Sequence, residues 1–196
     1  MRILIDGYNL SKEKGTGVAN YGKNLAKVLS EAGHEVGIIF PYNLKKIKKD
    51  KNLTSLISAI KLASKEQPNL NNYKLVFYFL RAILRQYQIK EALINQKLVI
   101  PKYSEDNYYS YQILYRDSIF QLAQVFFKLT GNLLPIKVPN NVDIVHWTYP
   151  IPIRAINKPN IYTIHDLVPM KLPYTTLDDK EFYVKSLANI CKKANK

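Results

Sequence analysis

Two histidine-bearing segments and one glycine loop hold the side chains best suited to chemistry. His165-Asp166 follows the apolar run Asn160-Ile161-Tyr162-Thr163-Ile164, so the pair stands where a buried strand meets its loop. In open α/β sheets that edge is where ligands bind. A histidine there can donate a hydrogen bond or act as acid or base near neutral pH. The alternative is a structural pair in which Asp166 caps the following turn. His146-Trp147-Thr148-Tyr149 ends a second short strand and would line the same crevice. Its rings and polar tips suit a sugar or a nucleotide, and equally suit packing. Gly15-Thr16-Gly17-Val18-Ala19-Asn20 precedes a helix; its glycines let backbone approach a ligand, and the helix start offers N–H groups to a phosphate. It is not a dinucleotide fingerprint, because Asn20 replaces the third glycine and the preceding loop is long. A glycine turn without a ligand is the other reading. No Ser/His/Asp set, carboxylate pair or GK[ST] phosphate loop can be assembled, and His34, His146 and His165 are scattered, so no metal site is expected. These residues describe a binding crevice more clearly than a catalytic machine.

The elements that must position them read as an α/β pattern. Arg2-Ile3-Leu4-Ile5 is a buried strand that ends at Asp6-Gly7. Val18, Tyr21, Leu25, Val28, Leu29 and Ala32 fall at helical spacing, with Thr16 as a cap and Gly33 as the stop. Glu35 to Phe40 is a second strand, halted by Pro41. Together they form the first crossover of a parallel sheet. Between residues 42 and 135 the spacing predicts a helix over Leu53–Ala63 and another over Lys74–Leu93, with Phe77, Leu80, Leu84 and Tyr87 facing a core. A brief strand at Leu98–Ile100 stops at Pro101. Tyr111, Tyr115, Ile119, Leu122, Phe126 and Leu129 trace one long apolar stripe at helical steps. Asp143–Trp147 and Asn160–Ile164 are strands separated by a proline-rich turn from Pro150 to Pro159, and a last helix starts near Asp178. The expected fold is a single Rossmann-like α/β domain, a parallel sheet flanked by helices.

Composition narrows the partners. Lys and Arg outnumber Asp and Glu by 29 to 15 in 196 residues, a net charge of +14. Such a balance favours a polyanionic neighbour: an anionic membrane surface, phosphorylated ligands or nucleic acid. The densest cluster is Lys45, Lys46, Lys48, Lys49 and Lys51, which also reads as a solvated face. No nucleic-acid motif accompanies it and arginines are few, so nucleic acid is the least favoured partner. Apolar runs such as Leu75–Leu80 fall far short of the roughly 20 residues of a membrane span. The start is unlike a secretory signal and Cys191 has no intrachain partner, so a cytoplasmic setting is expected, with peripheral attachment at the inner membrane face as the alternative.

The order of these features resembles family 4 glycosyltransferases. The likeness rests on RILIDG, the G-x-G loop with VANYGKNLAKVLSEAGHEV after it, DIVHWTYP, and YTIHDLVPMKLP, and covers about residues 1–41 and 134–196. It implies one half of a GT-B architecture, in which two Rossmann-like domains face each other across a cleft. The N-terminal domain holds a glycan or lipid-linked sugar acceptor; the C-terminal domain holds most of a nucleotide-sugar donor. Carried over by position, Gly15, Thr16, Gly17 and Val18 would face the donor's diphosphate. His165 would lie against the transferred sugar, Asp166 would shape its loop, and Tyr21 and Tyr149 would line the cleft. The resemblance further implies retention of anomeric configuration without a metal or other cofactor. The sequence reaches Lys196 without the family's donor domain, its paired glutamates or its diphosphate-gripping basic residues. The donor domain is thus expected elsewhere, in cis or as a separate chain, with little transfer by this chain alone. The competing expectation is a non-catalytic module that docks on sugar or on a membrane surface.

Overall fold

The structure is a computed structural model that describes residues 1–9, 17–41, 72–91, 98–101, 108–115, 118–175 and 179–194. The expected helix at 53–63, the lysine cluster at 45–51, and Gly15 and Thr16 lie outside the described residues. The described residues form a seven-stranded sheet and a separate two-stranded one. In chain order the elements are β1 (Arg2–Asp6), α1 (Gly17–Glu31), β2 (Glu35–Phe40), α2 (Asn72–Ile83), β3 (Lys90–Glu91), β4 (Leu98–Pro101) and β5 (Tyr108–Tyr115). They continue with α3 (Ile119–Thr130), β6 (Leu134–Ile136), β7 (Ile144–Trp147), β8 (Ile153–Ala155), β9 (Asn160–Tyr162), α4 (Val168–Lys171) and α5 (Lys180–Lys193).

The main sheet runs β5-β2-β1-β7-β9, with every neighbour parallel. β3 and β4 add antiparallel edges to opposite ends of β5. Chain order moves outward from β1 through β2 to β5, then returns to β7 on the other side of β1. That reversal is the topological switch of a Rossmann-like α/β fold, and the edge beyond the C-terminal ends of β1 and β7 is where such sheets place their ligands. β1 is buried along its whole length, as a strand covered on both faces must be. The core gathers Leu4, Ile39, Leu114, Leu122, Phe126, Trp147 and Ile153. The turn of α1 into β2 uses Gly33 at φ +81°, a left-handed stop that glycine takes without strain.

Three expectations change. The stripe from Tyr111 to Leu129 is not one helix: Tyr108–Tyr115 is strand β5, and helix α3 starts at Ile119. Tyr111 and Tyr115 are four residues apart, a step that keeps side chains on one face of a strand as well as of a helix. The helix expected over Lys74–Leu93 ends at Ile83, and Arg85 (φ 53°) turns the chain towards a bridge between Gln88 and Lys137. On α2, Ala82 is buried and Tyr78 and Phe79 pack on the core, but Phe77, Leu80 and Leu84 are exposed, not core. Third, the proline-rich turn contains strand β8, paired in parallel with β6.

Two polar features fasten the crevice half of the sheet. Gly7 extends the β1 ladder by donating its N–H to Ile39 O at 2.8 Å, and a Cβ at Gly7 would lie 2.7 Å from that same oxygen. Asn160 is fully buried. Its Oδ1 accepts from Trp147 Nε1 (3.0 Å) and Ala155 N (2.8 Å), while its Nδ2 donates to the carbonyls of Ala155 and Lys158, both at 2.8 Å. β7, β8 and β9 are thereby joined at one amide. We expect Asn160→Ala to leave three buried polar groups and one part-buried carbonyl without this partner and to destabilise the fold by roughly 3 kcal/mol or more. Gly7→Ala should cost about 1–3 kcal/mol by forcing β1 and β2 apart. Urea denaturation measures both; an unchanged midpoint for either would contradict its stated role.

Candidate functional site

Each strand around the switch point contributes a polar residue at its C-terminal end. Along β7, side chains alternate faces. Val145 and Trp147 turn into the core, and half-buried His146 points to the opposite face, where it meets α1. Just past β9, Thr163 holds its main chain in register by donating to Trp147 O at 2.9 Å. The Thr163 hydroxyl lies 2.8 Å from His146 Nε2 and 3.0 Å from the Tyr21 hydroxyl. Burial lowers the pKa of His146, favouring its neutral ring. The Tyr21 ring stands edge-on to His165, with centroids 5.0 Å apart and planes at 84°. Four side chains from α1, β7 and the end of β9 thus converge: Tyr21, His146, Thr163 and His165.

His165 is oriented by the main chain. Its Nε2 lies 2.8 Å from the Thr148 carbonyl oxygen, which can only accept, so Nε2 carries the proton. Nδ1 is left for other work, as an acceptor in the neutral ring and a donor in the charged one. Thr148 is itself held on its other side by Asp6. The Thr148 N–H and side chain both bond the Asp6 carboxylate, whose Oδ1 also accepts from Tyr8 N at 3.1 Å. Asp6 is fully buried. Burial pushes its pKa from an ordinary 3.8 up to about 6, against the pull of the Thr148 and Tyr8 donors.

The other sequence-designated residues fall around this cluster. Asp166 is exposed; its Oδ1 accepts from Val168 N at 3.0 Å, and its carbonyl accepts from the Tyr183 hydroxyl at 3.0 Å. The turn-capping role is therefore formed. Gly17 and Val18 open α1, Gly17 is exposed, and a Cβ built on Gly17 meets nothing within 4 Å. Tyr149 is not in the imidazole cluster. It stacks on Tyr8 with centroids 6.0 Å apart, and both line a cavity of about 250 Å³ with Phe120, Gln124, Lys128 and Phe182. The residues absent from the sequence-based site are Asp6 and Thr163; Thr148 entered it only as part of the segment His146–Tyr149. One signal existed for Asp6: an acid closing an otherwise apolar strand. His34 stands half-buried after the stop of α1, remote in sequence from this edge. Among the described residues no group of three His, Cys, Asp or Glu could hold a metal ion.

Comparison with protein-family models, curated proteins and solved structures finds no match to the chain. The fold and the geometry at this edge are therefore the basis for a functional reading.

The raised pKa of Asp6 sets a pH dependence. The folded state binds the Asp6 proton more tightly than the unfolded chain does. The resulting stabilisation is complete below about pH 4 and is lost as pH rises through about 6. Relative to Asp6→Asn, the wild type should lose roughly 3 kcal/mol between about pH 4 and pH 7. Urea unfolding of both proteins across that range checks this; a constant difference would show that Asp6 titrates normally.

Proposed function

We propose that this chain is the acceptor-side domain of a retaining glycosyltransferase, forming one wall of a cleft in which a sugar passes from a nucleotide-sugar to a glycan or lipid-linked acceptor. The observation that carries the reading is the convergence of Tyr21, His146, Thr163 and His165 at the switch-point edge. Paired hydroxyls and imidazoles suit a ligand rich in hydroxyl groups, and the tethered His165 keeps one ring nitrogen for it. The sequence likeness to family 4 glycosyltransferases points the same way. So does the neighbouring aromatic cavity, whose Tyr8, Tyr149 and Phe182 rings can cover the apolar face of a sugar while Gln124 and Lys128 meet its polar rim.

In this reading His165 contacts the transferred sugar, Tyr21 holds the imidazole edge, and Asp166 shapes the loop. The start of α1, with Gly17 and Val18, faces the donor diphosphate together with Gly15 and Thr16. The remaining donor contacts and the closure of the cleft come from a second domain. Because transfer needs both substrates oriented in one water-excluded cleft, this domain by itself supplies recognition rather than turnover.

Saturation-transfer NMR with oligosaccharides and with UDP- and GDP-sugars tests the proposal. We expect saccharide contact that weakens in His165→Ala and Thr163→Val, and nucleotide-sugar binding no tighter than about 1 mM. Micromolar nucleotide-sugar binding by this chain would overturn the acceptor-side assignment. Saccharide titrations identical in wild type and both variants would remove the cluster from the site.

A further inference from the structure

Helix α2 has a second apolar face that is exposed among the described residues. From Tyr73 to Leu84 only Lys74 and Arg81 are neither aliphatic nor aromatic, so the segment is apolar nearly all round. A soluble surface helix shows one apolar stripe; a helix apolar on every side belongs in a core or in lipid. One side of α2 meets the first condition, with Ala82 buried in the core and Tyr78 and Phe79 packed against it. The opposite side carries Tyr73, Val76, Phe77, Leu80, Ile83 and Leu84 at three- and four-residue steps, each more than half exposed, from 53% to 68%. Leu129 on α3, the helix packed against α2, is likewise 68% exposed.

The helix and its exit turn carry charge of one sign. Lys74, Arg81 and Arg85 are the charged residues from Tyr73 to Ile89. The Arg81 guanidinium sits 5.6 Å above the Phe77 ring, on the border of the apolar stripe. With 12 residues, α2 is about 18 Å long. It is too short to cross a bilayer, and among the described residues no helix is long and apolar enough to do so. A second copy of this chain would bring the same cations face to face across a two-fold axis, at +14 per chain. An anionic lipid surface instead offers hydrocarbon to the stripe and phosphates to its rim.

We infer that α2 is a membrane-docking helix. It lies in the plane of an anionic bilayer with Tyr73, Val76, Phe77, Leu80, Ile83 and Leu84 in the headgroup–acyl boundary, and with Lys74, Arg81 and Arg85 at the lipid phosphates. This surface is independent of the sugar-transfer reading, because none of its residues belongs to the switch-point cluster.

Co-sedimentation of the full chain with vesicles tests it, using mixed phosphatidylcholine–phosphatidylglycerol vesicles and phosphatidylcholine alone over a salt series. The wild type should pellet with the anionic vesicles at low salt. Binding should fall about tenfold or more in F77S/L80S and again in K74Q/R81Q/R85Q. Both variants alter exposed or rim residues, and unchanged thermal melts verify that they fold. Absence of binding to anionic vesicles at low salt defeats the inference. So does full binding by folded F77S/L80S, which would assign the attraction to lysines elsewhere. Self-association abolished by F77S/L80S, with no vesicle binding, would give this face to a second copy instead.

Discussion

Thr148 is gripped from two directions at the point where the sheet reverses its order. Its amide donates to the buried Asp6 carboxylate at the end of β1, and its carbonyl accepts from His165 beyond β9. Three strands, one of them about 140 residues from the other two, are therefore referenced to one residue. The ladders set the strands side by side, but they do not determine how the chain leaves them. The departures of β1, β7 and β9 define the crevice, and all three pass through this contact. Burying a carboxylate to make it is costly, which is why Asp6 holds its proton to a higher pH than an exposed aspartate does.

A second layer of fastening lies beneath. Asn160 uses its amide to bind β7, the end of β8 and its own loop. The Tyr162 hydroxyl donates to Ile153 O, and burial pushes that phenol's pKa upward. The small β6–β8 sheet is thus coupled to the main sheet by these side chains, in addition to the backbone bridge between Gln88 and Lys137. The aromatic cavity rests on the segment Tyr149–Pro152, between β7 and β8, so both of its anchors are fixed. The imidazole cluster and the cavity are adjacent products of one braced edge.

Much of this was legible in the sequence, where the information is local. β1, α1, β2, β7 and β9 are continuous apolar or periodic runs with clear stops, and they suffice for the parallel α/β assignment. His146 and His165 were identifiable because strand ends can be located from such runs, whereas Tyr21 entered only through the resemblance to family 4 glycosyltransferases. The pairing of Asp6 with Thr148 was not identifiable, since it depends on β7 coming to lie beside β1 about 140 residues later. Tyr111 and Tyr115 misled because a four-residue step fits two periodicities. β6 and β8 are three residues each, β6 with Pro135 inside it and β8 directly after Pro152, which locally read as turn. The exposed face of α2 was hidden for a different reason: periodicity reports that a face is apolar, not what covers it.

The acceptor that orients His165 is a main-chain carbonyl. No substitution at position 148 can delete that oxygen, so the choice of protonated nitrogen is written into the path of the backbone and not into any one codon. The imidazole's chemical identity can therefore survive sequence drift that would erase a side-chain partner. It fails only when the strand ends themselves move.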